Sequence, residues 1–232
     1  MSKRVWFISD THTKHHQLTI PNFVDIAICA GDISNHRDPY MNEPEVHGFM
    51  NWYKMLPIEH KIFIAGNHDT SIEHGLVKRG DIPHQLIYLE HDGVEIDGLK
   101  IWGSPFTPQF GHGWAYNVKR SKLDAYWQEI PESTDIVISH GPPLGILDHT
   151  ECGAPSAGDS GNSYVCSCGD KALLNHIRRV KPLVHCFGHL HTEARCFNAG
   201  MMQLPDLRTK FINASVVDLD YKMHNNGFIL EI

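Results

Sequence analysis

Long apolar runs are missing from this chain of 232 residues. No segment approaches the ~20 apolar residues that cross a bilayer, so no membrane span and no membrane partner are expected. Met1-Ser2-Lys3-Arg4 has the basic character of an export signal, but only four clearly apolar residues follow before Asp10. That is short of the apolar stretch such a signal needs, and a cytoplasmic location is expected. Basic residues are also scarce. Lys and Arg number 20 against 27 Asp and Glu, for a formal charge of −7. Sequence-independent binding to nucleic acid needs a basic footprint, so nucleic acid is not an expected partner. The cysteines, Cys29, Cys152, Cys166, Cys168, Cys186 and Cys196, form no C-x-x-C pair. Cys166 and Cys168 stand too close for an ordinary zinc knuckle. They read first as reduced structural thiols, with a second metal site or a redox pair as alternatives. No internal repeat and no linker is visible. One domain over residues 1–232 is therefore expected, long enough to bury a core without disulfides or structural metal.

Histidine, by contrast, is abundant, with 18 residues scattered along the chain. Short β-prone runs recur: "VWFISDTHT" (5–13), "VDIAICAGD" (24–32), "KIFIAGNHD" (61–69), "DIVISHGPP" (135–143) and "LVHCFGHLH" (183–191). Each is apolar without alternation, as in central strands covered on both faces. Helical spacing falls between several of them. Val46, Phe49, Met50 and Tyr53 precede Pro57; Leu123, Tyr126, Trp127 and Ile130 precede Pro131; Leu173, Leu174, Ile177 and Val180 precede Pro182. Proline just past an apolar-periodic run is a stop signal. Asp97-Gly98 inside "GVEIDGLKIWG" (93–103) is a hairpin signal, and "KFINASVVDLDY" and "GFILEI" read as further strands. Alternating strands and helices with added hairpins give an α/β class. The expected layout is a two-sheet β-sandwich flanked by helices. The 150–166 stretch, "TECGAPSAGDSGNSYVC", reads as a long loop, either functional or a plain insertion.

The apolar runs end in a shared chemistry. Asp10, His12, Asp32, Asn67, His68, His140, His189 and His191 all follow β-prone runs. Ligand sites collect at the carboxyl ends of strands in α/β sheets. One D-x-H or one H-x-H is a capped turn or a satisfied histidine in most proteins. Five such segments in one chain point to a metal site. Imidazole with carboxylate and amide oxygen suits Mn²⁺, Fe or Zn²⁺ and is too rich in nitrogen for Mg²⁺ or Ca²⁺. Bound cations would also reverse the local field of an acidic chain.

"DTH", "GD", "GNHD", "SHG" and "GHLH" together resemble the calcineurin-like metallophosphoesterase superfamily, over residues 10 to 191. "GSPFTPQFGHGWAYN" (103–117), "SHGPPLGILD" (139–148) and "FINAS" (211–215) are similar to its metallophosphoesterase-domain (MPPED, 239-type) branch. The resemblance implies a four-layer αββα fold and two divalent transition-metal ions, Mn²⁺ before Fe or Zn²⁺. It implies that Asp10, His12 and His191 hold one metal, that Asn67, His140 and His189 hold the other, and that Asp32 bridges them. The implied activity is hydrolysis of a phosphodiester, such as a cyclic nucleotide or similar small ester, by in-line attack of a hydroxide shared by the metals. His68 would stabilise the transition state and protonate the leaving oxygen. Asp69 would either orient His68 or cap a helix. Phe106, Phe110, Trp114 and Asn117 are candidate substrate contacts, with His112 and Tyr116 behind them; packing of that segment on itself is the competing reading. Rival functions are a phosphomonoesterase or protein phosphatase, and a metal-retaining binding or regulatory module with little turnover.

Overall fold

Alternation along the first strand sets the layering. In β1 (Arg4–Ile8) Val5 and Phe7 point into one apolar cluster, while Trp6 and Ile8 point into another. Successive side chains on a strand face opposite ways, so a strand apolar throughout must be covered on both faces. In the computed structural model, which describes residues 2–152 and 164–232, every central strand is treated this way. β2 (Ile26–Cys29), β3 (His60–Phe63) and β4 (Ile87–Tyr88) extend β1 into a parallel sheet. α1 (Pro39–Lys54) crosses between β2 and β3 and packs Val46, Phe49, Met50 and Tyr53 on the outer face. Asp38 opens α1 by accepting from Tyr40 N and Met41 N, with Pro39 in the first turn. Such caps are worth about 0.5–2 kcal/mol.

The short α2 (Thr70–Glu73) follows β3. A hairpin, β5 (Asp92–Ile96) and β6 (Leu99–Ser104), then starts the second sheet. Its turn is Asp97-Gly98, both at positive φ, as a two-residue hairpin turn of this sequence requires. A small ribbon, β7 (Thr107–Pro108) and β8 (Asn117–Val118), brackets the aromatic segment. α3 (Arg120–Trp127) leads to β9 (Ile136–Ser139). A second hairpin follows, β10 (His149–Cys152) and β11 (Tyr164–Ser167). Then come α4 (Lys171–Val180), β12 (Val184–Phe187), β13 (Gly200–Gln203), β14 (Lys210–Asn213) and β15 (Phe228–Glu231). The second sheet has the order β13-β14-β12-β9-β6-β5, and β15 joins the free edge of β1.

The inner faces of the two sheets meet through Val5, Phe7, Ile28 and Ile62 on one side and Ile101, Ile138, Cys186 and Ile212 on the other. Leu123 and Trp127 of α3 and Leu173 and Ile177 of α4 cover the outer face of the second sheet. The sandwich with outer helices is therefore as expected. Truncating one of the large residues at its centre to Ala costs about 2–5 kcal/mol. Two expectations change. The 150–166 stretch is not a loop at both ends: 149–152 and 164–167 pair as a hairpin, while 153–163 lies outside the described residues. Cys152 and Cys166 are joined as a disulfide, where reduced thiols were expected. Among the described residues no helix is long and apolar enough to cross a membrane.

Candidate metal centre

Five parallel strands deliver polar residues to one edge, and the backbone bends sharply as it leaves them. Asp10 (φ 53°), His12 (39°), Asp32 (51°) and His189 (69°) all lie in the left-handed region. Non-glycine residues are uncommon there, and such strain concentrates at functional sites. The turns are tied to one another. Asp10 N donates to Gly31 O and His12 N to Asp32 O. His189 N donates to both oxygens of Asp10 at 3.0 Å, and His68 N donates to Asp32 Oδ1 at 2.8 Å. Two glycines make this density possible. A Cβ on Gly188 would fall 2.1 Å from Asp10 Oδ2, and one on Gly66 would fall 2.3 Å from Asp32 Oδ1.

The imidazoles are oriented from behind. Nδ1 of His12 lies 3.2 Å from Ser34 O, Nδ1 of His140 2.8 Å from Ala30 O, and Nδ1 of His191 3.2 Å from Asp218 O. Carbonyl oxygens only accept, so each Nδ1 carries the proton and each Nε2 faces inward. This is the arrangement of metal-ligating histidines. His12 Nε2 and His191 Nε2 are 3.2 Å apart, and His140 Nε2 is 2.9 Å from Asn67 Oδ1. Acceptors facing each other at such distances need a cation or an extra proton between them. Asp10, His12 and His191 form one group able to hold an ion; Asp32, His140 and His189 form another, and His12, Asp32 and His68 a third. Asp32 Oδ2 lies 3.3 Å from His140 Nε2 and 3.8 Å from His12 Nε2, between the two halves. The donor set could therefore hold metal, with Asp32 common to two of the three groups.

Charge in the site favours the same occupants. Asp10 and Asp32 are buried, and among the described residues no Lys or Arg pairs with either. Burial alone would raise their pKa values, but His191 beside Asp10 and His140 beside Asp32 hold both carboxyls below the usual range. Burial opposes a charge on His140, yet Asp32 lifts it to about 9. Burial pushes His12 and His189 down to about 3, so both present neutral imidazole, the form that binds metal. Above these groups opens a cavity of about 230 Å³, walled by Phe110, Trp114, Leu219 and Tyr221.

The sequence pattern of the calcineurin-like phosphoesterases matches residues 3–193, which contain all seven expected ligands. This chain belongs to that family. The calcineurin-like phosphoesterases are metal-dependent, in keeping with the His and Asp groups gathered here. The chain is 32% identical to metallophosphoesterase domain-containing protein 1 of Homo sapiens, over 97% of this chain and 69% of that protein. It is 32% identical to UPF0046 protein C25E10.12 of Caenorhabditis elegans, over 97% of this chain and 79% of that protein. In fold it is similar to the solved structure of TT1561 of Thermus thermophilus. That likeness has a TM-score of 0.61, covers 97% of this chain and 98% of the other, and comes with 11% identity.

Within this calcineurin-like phosphoesterase the remaining expected site residues divide. His68 stands in the cavity, its ring 4.6 Å from that of His12 and 4.7 Å from Trp114, with Nδ1 3.0 Å from Asn35 O. Asp69 does not touch the His68 ring. Its carboxylate accepts from Ser34 Oγ (2.5 Å), Ser34 N (3.1 Å) and Gly66 N (2.7 Å), and it makes no side-chain cap of α2. Asp69 thus clamps the turns that carry Asp32 and Asn67. Burial, then Asp32, raises its carboxyl to about 6. Phe110 and Trp114 line the cavity. Phe106 packs inside against Tyr126, His91 and Tyr116 instead, where its apolar ring is better buried. Asn117 is occupied locally, donating to Thr107 Oγ1 and Ala115 O and accepting from Phe110 N; it shapes the aromatic segment from behind. Tyr116 is buried, and the His112 carbonyl accepts from Arg37.

Sequence reasoning missed several neighbours. Tyr221 (φ 58°) places its ring 4.6 Å from His12 and 5.6 Å from His191. Arg37 lies over the Trp114 ring at 4.2 Å. His149, Thr150 and Glu193 also line the cavity. The only signal for Tyr221 was the "DLDY" turn, in which Asp218 Oδ1 accepts from Asp220 N and Lys222 N.

Proposed function

We propose that this phosphoesterase is a dinuclear enzyme, most active with Mn²⁺, that hydrolyses small phosphodiesters such as cyclic nucleotides. The observation that carries the dinuclear reading is the set of imidazoles around two buried carboxylates, with Nδ1 of His12, His140 and His191 each fixed to a backbone carbonyl. Asp10, His12 and His191 would hold one ion, Asn67, His140 and His189 would hold the other, and Asp32 would be shared. When bound, the ions supply a nucleophilic hydroxide near neutral pH and screen the phosphate oxygens.

The protein's own groups do the rest. The Nδ1–H of His68 is directed at Asn35 O, which leaves Nε2 as the atom that delivers a proton to the leaving oxygen. The Trp114 ring beside His68 narrows the approach to that atom. Phe110, Trp114 and Tyr221 give the ester's organic group an apolar wall. Charge supports the diester preference. Among the described residues no Lys or Arg lines the cavity. A monoester carries about 1.5 to 2 negative charges at neutral pH, whereas a diester carries one and has less need of a cationic clamp. We also place the enzyme in the cytoplasm, acting on small soluble esters.

The test is a screen of the Mn²⁺-loaded protein against cyclic nucleotides, aryl diesters, aryl monoesters and single-stranded DNA. The expected outcome is turnover of small diesters with the highest kcat/KM. Preferential turnover of monoesters would overturn the diester reading, and tight metal binding with no turnover on any ester would make the protein a binding module.

A further inference from the structure

A second cluster of metal-type ligands lies on the β10–β11 hairpin. Cys166 pairs with Thr150 across the ladder, and Cys152 with Tyr164. Cys152, two residues beyond Thr150, therefore shares the face of Cys166, and alternation brings Cys168 to that face as well. The three Sγ atoms lie within 4.8 Å of one another. Cys152 and Cys166 are joined as a disulfide, and Cys168 Sγ stands 3.8 Å from Cys166 Sγ. With metal–sulfur bonds of ~2.3 Å, tetrahedral geometry sets ligand sulfurs about 3.8 Å apart. All three side chains are half-buried, within reach of an ion from solvent. The other cysteines, Cys29, Cys186 and Cys196, are buried.

The frame behind the cluster is rigid. Cys168 N donates to Asp148 O at 3.0 Å, and Arg120 Nη2 donates to Cys168 O at 2.5 Å. Gly169 N donates to Asp148 Oδ2 at 2.9 Å. Asp148 is fully buried, and its Oδ1 has no hydrogen-bond partner among the described residues. Burial, then that carboxylate, raises the Cys168 thiol, and Arg120 acts in the opposite sense.

We propose that the reduced chain binds one thiophilic ion of the Zn²⁺ class through Cys152, Cys166 and Cys168, apart from the catalytic metals. A dithiol reductant supplies two electrons and two protons to the Cys152–Cys166 bond and leaves as its own disulfide. Binding then forms three sulfur–metal bonds and releases three thiol protons to solvent, which keeps the fourth position. Thiolates select Zn²⁺ or Cu⁺ over Mn²⁺, so the two sites sort different metals. His149 and Thr150 of the same hairpin line the cavity, and the ion would fix that wall.

The experiment uses the full chain, reduced with a phosphine, loaded with Mn²⁺ and titrated with Co²⁺. A sulfur-to-cobalt charge-transfer band should saturate at one equivalent, vanish on adding Zn²⁺, and persist in Asp32→Asn. Cys168→Ser, which retains Cys152 and Cys166, should weaken Co²⁺ binding there by more than ~100-fold, since loss of mere outer-shell support costs ~10–100-fold. Absence of the band in the reduced parent, or an unchanged band in Cys168→Ser, would overturn the proposal. Alkylation of the parent chain gives a readout free of variant folding. Zn²⁺ should protect the three thiols together, and a chelator should expose them. Equal alkylation with and without Zn²⁺ would also overturn it.

Discussion

Replacing Gly188 by Ala adds one methyl group where Asp10 is packed most tightly. The new Cβ would stand 2.1 Å from both Asp10 Oδ2 and Ser9 Oγ, about 0.9 Å inside the 3.0 Å below which real Cβ contacts are essentially never seen. Neither neighbour is free to give way. Ser9 and Asp10 are fully buried, and both Asp10 oxygens accept from His189 N. Metal–ligand distances tolerate about 0.2 Å, so the required shift exceeds that tolerance several-fold. Overpacking of this kind costs about 1–3 kcal/mol in stability, within what a domain of this size survives. The protein should fold, with the Asp10–His12–His191 ion lost first and kcat/KM down by ~10² or more, the scale of a 1 Å misplacement. Elemental analysis of Mn²⁺-loaded protein, an aryl phosphodiester assay and thermal unfolding read the three effects. Gly48→Ala in α1 is the control: nothing lies within 4 Å of its Cβ, and it should be neutral or stabilising by about 0.5–1 kcal/mol. A Gly188→Ala protein with full metal content and parental kcat/KM would refute the assignment of Asp10 as a ligand.

Further outcomes follow from the cavity and the core. His68→Ala should keep its metals and lose ~10²–10⁴ in kcat, less for nitrophenyl esters; equal losses for good and poor leaving groups would remove the proton-donor role. Trp114→Ala removes the ring stacked near Phe110 and under Arg37, and should cost about 1–3 kcal/mol in kcat/KM for esters bearing a nucleobase. The same loss on a substrate without a ring would make Trp114 structural. Burial pushes His185 down to about 3 from 6.5. The unfolded chain therefore binds the extra proton between those pH values, and stability falls as pH drops from 6.5 towards 3, by up to ~1.4 kcal/mol per pH unit. His185→Gln should flatten the urea midpoint against pH over that range; an unchanged slope would show that other groups carry it.

Asp10, Asp32, Asn67, His140 and His189 were legible because each follows an uninterrupted apolar run, and parallel strands deposit such residues at one edge. The sandwich followed from the same runs, since a strand apolar on both faces needs two covers. The role of Asp69 was not legible. Its partners, Ser34 and Gly66, belong to two different turns, and nothing in "GNHD" distinguishes a clamp from an orienting group. Phe106 and Phe110 are four residues apart in one segment and look alike, yet only the second reaches the cavity. Their fates are decided by Tyr126 and His91, which pack against Phe106 from other elements. Tyr221 escaped because it meets His12 from the far end of the chain.

The separation of the ligands along the sequence sets a schedule. Asp10 and Asp32 leave the ribosome long before the histidines that answer them: the Asp10–His189 contact spans 179 residues. At ~5–20 residues per second that gap is roughly 10–35 s. Meanwhile two carboxylates destined for burial must stay hydrated, because a lone charge cannot enter an apolar interior. β1 also waits for its outer neighbour, since Trp6 Nε1 donates to Asn226 O across 220 residues. The nascent chain therefore passes through a stage in which half of the donor set is open to the surrounding solution, before the sandwich closes behind it.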